Sequence, residues 1–198
     1  MRIIICGLNG SGKTTLGREL SKRINYIHKD VEDYYFSNEA GYKYGQARSK
    51  EDVTKDIEND FNKHENIIFT SCKGDYGNVS NMCDLAIYIR LDKDTRLDRV
   101  KDRSYIQFGE RILEGGDLYE KENEFWNMVY NKDEAAVEEW FDELRCTKME
   151  IDGKKELDEK IEVIVGKIEN MVWLKGKVLF VIQYTKRLDI KQQLWYNV

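Results

Sequence analysis

A chain of 198 residues is long enough for one well-packed domain and short for two. With 35% charged residues and a formal net charge of -5, it lacks the basic excess of a nucleic-acid-binding surface, so such a partner is not expected. No apolar run approaches the ~20 residues needed to span a bilayer, and the four cysteines show no C-x-x-C spacing. With no charged-then-apolar leader read at the start, the expectation is a cytoplasmic protein with reduced thiols and no membrane segment.

The first element is a short apolar strand, Ile3 to Cys6, and directly after it comes GLNGSGKT, Gly7 to Thr14, which fits the phosphate-loop pattern G-x-x-x-x-G-K-[ST]. Gly7, Gly10 and Gly12 let the backbone turn so that N–H groups from Gly7, Leu8, Asn9, Gly10, Ser11, Gly12, Lys13, Thr14 and Thr15 surround a polyphosphate. Lys13 adds a point charge for the β- and γ-phosphates, and the Thr14 hydroxyl suits Mg2+. A helix follows, with Leu16, Leu20 and Ile24 four apart, and presents its positive dipole end to the same anion.

Ile24 to Lys29 reads as a second strand ending at Asp30, followed by the acids Glu32 and Asp33. A tyrosine-rich stretch, Tyr34 to Ala47, precedes a helix opened by Ser49 and running to about Lys63. Asn66 to Ser71 is a buried strand, Leu85 to Leu91 a fourth, and about Asp94 to Ser104 a charged helix bearing Arg96, Arg99 and Arg103 on one face. Gly109, Gly115 and Gly116 mark a loop, Leu118 to Leu144 two helical pieces, and Thr147 to Ile151 a fifth strand. Leu157 to Met171 is the last helix, and the tail 172–198, with a β-prone run over 178–182, leaves the strand-helix rhythm. The alternation predicts an α/β fold, a five-stranded parallel sheet with helices on both faces and ligands at the carboxyl ends of the strands, and the glycine motif placed there makes the expectation a three-layer P-loop NTPase fold.

GLNGSGKTTLGREL followed by a strand ending in D-x-E-D resembles the P-loop kinases of small molecules and nucleotides, a group that includes adenylate, shikimate and gluconate kinases. KGDYG and GGDLY are similar to stretches in bacterial P-loop proteins described only as ATPases or kinases. The resemblance covers 1–171 and implies a kinase-like domain there, with a lid at about 104–118 and ATP and Mg2+ as cofactors. Lys13 would hold the transferred phosphate, Thr14 would ligate magnesium, and Asp30 would bind that ion through water or polarise the acceptor hydroxyl. Arg99 and Arg103 would neutralise charge on the phosphate, with Arg111 in the lid. Glu32, Asp33, Arg48 and Asp75 would face a small-molecule or nucleotide acceptor, with the aromatic and basic residues Tyr34, Tyr35, Phe36, Tyr42, Lys43 and Tyr44 around it.

The third strand lacks a terminal acid for magnesium, which leaves Asp30, Asp75 and, ranked last, Asp92. Two other readings stay open: an ATPase whose hydrolysis drives a partner, and, kept alive by that gap, a nucleotide-responsive binding module that transfers nothing. A GTPase is disfavoured, because Asn131, Lys132 and Asp133 are followed by Glu134, one residue out of register with N-K-x-D. The oligomeric state is not legible in the sequence.

Overall fold

Ile3, Ile4, Ile5 and Cys6 have no solvent exposure in the computed structural model, which describes residues 1–36 and 47–174. Successive strand residues point to opposite faces, so a run buried at every position must be covered on both sides. β1 (Arg2–Cys6) accordingly sits at the centre of a five-stranded sheet of order β2-β3-β1-β4-β5. The other strands are β2 (Ile27–Asp30), β3 (Ile67–Thr70), β4 (Leu85–Arg90) and β5 (Thr147–Asp152), and every pairing is parallel.

Parallel neighbours need crossovers, and helices supply them. One face of the sheet carries Ile4, Cys6, Ile67, Phe69, Ala86 and Tyr88. It shares a core with α3 (Lys50–Lys63) through Val53, Ile57 and Phe61, and with α7 (Ala135–Glu143) through Val137 and Phe141. Phe61 and Phe69 meet edge-on with centroids 5.8 Å apart. The opposite face, which bears Ile68, Thr70 and His28, is covered by α1 (Lys13–Ile24). Gly17 lies so close there that an added Cβ would stand 2.5 Å from Thr70 Cγ2.

Local signals set the boundaries. α1 runs to Ile24 and closes on Asn25 in the left-handed conformation, φ 56°, so the second strand begins at Ile27 rather than at Ile24. Asp30 caps α2 (Val31–Tyr35) by accepting from the Glu32 N–H, and Ser49 caps α3 by accepting from the Asp52 N–H. After α4 (Val79–Met82) and β4, Asp92 caps α5 (Lys93–Phe108), which extends four residues beyond the expected end at Ser104, so the lid expected from 104 begins inside a helix. A 3-10 turn (Gly109–Ile112) leads toward α6 (Tyr119–Asn131).

A compact unit spans Met1–Lys155 and a second begins at Glu156. In the second, a helix covers 157–174 with Ile161, Ile164 and Ile168 buried, as its spacing predicts. The run 178–182, and Tyr42, Lys43 and Tyr44, lie outside the described residues.

Candidate phosphate and phosphoryl-transfer site

The loop after β1 crosses the carboxyl end of the sheet beside the point where strand order reverses, the position at which parallel α/β sheets open a crevice. Its shape depends on backbone that L side chains resist. Gly10 has φ 82°, and a Cβ there would stand 2.3 Å from the Arg96 carbonyl oxygen, so the first turn of α5 packs directly onto the loop. Gly12 has φ 95° with open space beside it, and leads into the N-terminus of α1. The Ser11 hydroxyl is buried with no hydrogen-bond partner, and Lys13 Nζ donates to the Leu8 carbonyl at 3.1 Å. A cradle of left-handed glycines, an orphaned hydroxyl and a lysine folded back over the loop fits a polyphosphate.

A cleft of about 220 Å³ opens over the loop. Asn9, Gly10, Gly12, Lys13, Thr14 and Thr15 form one side, Asp30, Val31 and Glu32 a second, Thr70 and Cys72 the floor, and Arg99 and Arg103 the wall from α5.

Asp30 is 6% exposed, and its contacts order this floor. Its Oδ1 accepts from the Glu32 N–H at 2.9 Å, while Oδ2 accepts from both the Thr14 and the Thr70 hydroxyls at 2.7 Å. Thr70 has one hydroxyl proton and gives it to Asp30, so the 3.0 Å contact with His28 Nε2 requires that ring nitrogen to donate. Burial lowers the His28 pKa below its ordinary 6.5, partly opposed by Asp30, which favours the neutral imidazole. Thr14 and Asp30 together present the hard oxygen donors that a magnesium ion takes.

The cleft thus brings together Lys13, Thr14, Asp30, Glu32, Arg99 and Arg103, and leaves other expected site residues out. Arg99 donates to the Gly153 carbonyl at 3.3 Å, which steadies it at the wall. Arg96, expected on the same face as Arg99 and Arg103, is 3% exposed, with Nε donating to the Leu91 carbonyl and Nη1 buried without a partner. Arg48 pairs with Asp56 at 2.8 Å and donates to the Tyr34 carbonyl, holding the chain onto α3. Asp75 faces Lys73 at 3.1 Å and Lys50 at 3.8 Å, and Asp92 pairs with Lys154 at 2.9 Å, so neither carboxylate lines the cleft. Arg111 makes a two-point pair with Asp117, and Asp33 is exposed outside the cleft. Tyr34 is a core residue whose hydroxyl donates to Asp60 at 2.6 Å.

Sequence reasoning missed Thr70, Cys72 and Lys132. Lys132 Nζ reaches Asn9 Oδ1 and Cys72 Sγ, both at 3.3 Å, across a separation that no local pattern signals. The signal for Thr70 was its position as the last residue of a buried strand.

Residues 3–127, from β1 into α6, match the family described as AAA domain, more than half of the chain. The chain belongs to that family. The chain is also similar to YqaC of Bacillus subtilis (strain 168), an uncharacterized protein, with 28% identity over 172 residues covering 82% of this chain and 94% of that one. Solved kinase structures share its fold. The deoxyadenosine kinase from M. mycoides with bound dATP superposes with a TM-score of 0.54 at 19% identity, covering 85% of this chain and 100% of that one. A gluconokinase from Sinorhizobium meliloti 1021 does so with a TM-score of 0.53 at 10% identity, covering 88% and 96%. The chain therefore has the three-layer α/β fold of these kinases, with its glycine loop at the carboxyl end of the sheet.

Proposed function

We propose that this protein is a magnesium-dependent kinase that transfers the γ-phosphoryl group of ATP to a small-molecule or nucleotide acceptor. The observation that carries the reading is the convergence on one cleft of a phosphate loop, a hydroxyl-carboxylate pair at Thr14 and Asp30, and two arginines from α5. Phosphoryl transfer asks little covalent chemistry of a protein, and is accelerated by positioning and charge stabilisation. In this reading the loop N–H groups and Lys13 bind the β- and γ-phosphates. Thr14 and Asp30 hold magnesium, which when bound screens the charge of the phosphate oxygens. Arg99 and Arg103 meet the charge that develops on the transferred group. Asp30 is positioned by Thr70, itself fixed by His28, so the acid that many P-loop proteins carry on the third strand is supplied here from the second. The connection 109–118 serves as the lid, and Arg111 joins the phosphate only by leaving Asp117. The site of action is the cytoplasm.

ADP release from magnesium-ATP, measured with pools of nucleosides, nucleotides, sugars and hydroxylated acids added in turn, tests this reading against Lys13→Ala as the blank. Stimulation by one pool that the blank lacks supports a kinase. Turnover that no pool stimulates overturns it and favours an ATPase driven by a partner, while binding without turnover favours a nucleotide-responsive module.

A further inference from the structure

A second cavity, of about 350 Å³, adjoins the phosphate cleft and shares two of its residues, Glu32 and Arg103. It is bounded by Phe36, at the end of α2, by Gln107 on α5, and by Phe125 and Met128 on α6. Its volume falls within the ~300–1,000 Å³ typical of small-molecule sites. Behind it, the buried Ser104 hydroxyl donates to Glu122 Oε2 at 2.7 Å and accepts from Trp126 Nε1 at 3.4 Å, tying α5 to α6 at the cavity's base.

The lining favours one ligand chemistry over another. Phe36, Phe125 and Met128 offer ring faces and a thioether, surfaces against which a polyhydroxylated acid would bury hydroxyls without partners. A flat heteroaromatic ring satisfies the same surfaces by stacking. The polar groups away from the cleft mix donors and acceptors, with the Gln107 amide and Glu122 beside Lys121, as the edge of such a ring requires. The ionic groups are two carboxylates, Glu32 and Glu122, and two cations, Arg103 and Lys121, with Arg103 at the junction able to meet a hydroxyl or a phosphate.

From this geometry we infer that the second cavity takes the phosphoryl acceptor, and that the acceptor is a heteroaromatic base on a hydroxylated sugar: a nucleoside or its monophosphate. The inference rests on the kinase reading. The ring lies between Phe36 and Phe125, and the sugar or phosphate end points to the junction where Glu32 and Arg103 face both cavities. An acceptor oxygen attacks the γ-phosphorus there, and the bond from that phosphorus to the β,γ-bridging oxygen breaks. ADP leaves with the electron pair. Where the attacking group is a hydroxyl, its proton passes to the Glu32 carboxylate and then to water.

Calorimetric titration of the full chain, loaded with magnesium-ADP, with adenosine, guanosine, cytidine, thymidine and their 5′-monophosphates tests the site directly. At least one compound is expected to bind, and nucleoside against monophosphate identifies which source supplies the shared ring and sugar. Phe125→Ala and the exposed, fold-neutral Gln107→Ala should each weaken that binding about tenfold or more, with ADP affinity unchanged. Binding of none of the eight with ADP affinity intact, or binding that neither substitution alters, overturns the inference. A parallel assay of phosphate transfer separates the two readings. Nucleoside bound but never phosphorylated removes the kinase and leaves the site, whereas turnover stimulated by gluconate alone keeps the kinase and removes this acceptor.

Discussion

Thr70 and Asp30 are register partners at the carboxyl ends of the neighbouring parallel strands β3 and β2, and the Thr70 hydroxyl donates to Asp30 Oδ2 at 2.7 Å. The same oxygen accepts from Thr14 at the start of α1, so three elements meet on one carboxylate atom. Asp30→Asn keeps the shape and removes the charge. In the proposed kinase it should cut magnesium-dependent turnover by about 100-fold or more, while affinity for ATP measured without magnesium changes little. Equal loss in both conditions would show that Asp30 serves the loop and not the ion.

Lys13 folds over its own loop, donating to the Leu8 carbonyl, and is only partly buried. Lys13→Ala is expected to lower ATP affinity and turnover together, with the unfolding midpoint shifted by less than about 0.5 kcal/mol equivalent. Denaturant unfolding with and without ATP measures both.

Gly10 cannot accept a side chain. Its φ is 82°, and a Cβ there would meet the Arg96 carbonyl oxygen at 2.3 Å, so Gly10→Ala must push α5 off the loop. A loss of stability of about 1–3 kcal/mol is expected, and the phosphate site should loosen with it. Gly12→Ala, at φ 95° but beside open space, carries the backbone strain without the collision, and should cost less. Equal losses would locate the cost in the loop backbone alone.

His28 gives a pH dependence with a definite sign. Burial lowers its pKa below 6.5, so the unfolded chain binds this proton more readily than the folded one. Stability attributable to His28 is therefore constant above the ordinary pKa and falls as pH drops through and below it. Unfolding by guanidinium between about pH 5 and pH 7.5 should show a steeper dependence in the native protein than in His28→Gln, which retains a donor for Thr70 but does not titrate.

Cys83 and Cys146 precede β4 and β5 and are hydrogen-bonded to each other. The Cys83 thiol donates to Cys146, bringing the Cys146 pKa down to about 7, while the same bond and burial push Cys83 up. Alkylation of Cys146 by iodoacetamide, followed by peptide mass, should accelerate through about pH 7 and precede that of the buried Cys6 and Cys83. In Cys83→Ala the rise should move toward 9.0, the ordinary value.

The sequence by itself determined the parts of this protein whose physics is local. A glycine pattern between an apolar run and an amphipathic helix dictates a phosphate loop, because tight left-handed turns and converging N–H groups need those residues in that order. Short apolar runs such as Ile3 to Cys6, separated by helical segments, dictate a parallel sheet covered on both faces. Which charged side chains enter the cleft was decided only by the tertiary structure. Asp30, Arg99 and Arg103 reach it, while Arg48, Asp75 and Arg111 are held away by Asp56, Lys73 and Asp117. The resemblance to P-loop kinases makes candidates of all six. A charge goes to the nearest opposite charge in space, and the strand register that brings Thr70 beside Asp30, or the crossing that brings Lys132 to Asn9, is fixed by packing between distant segments.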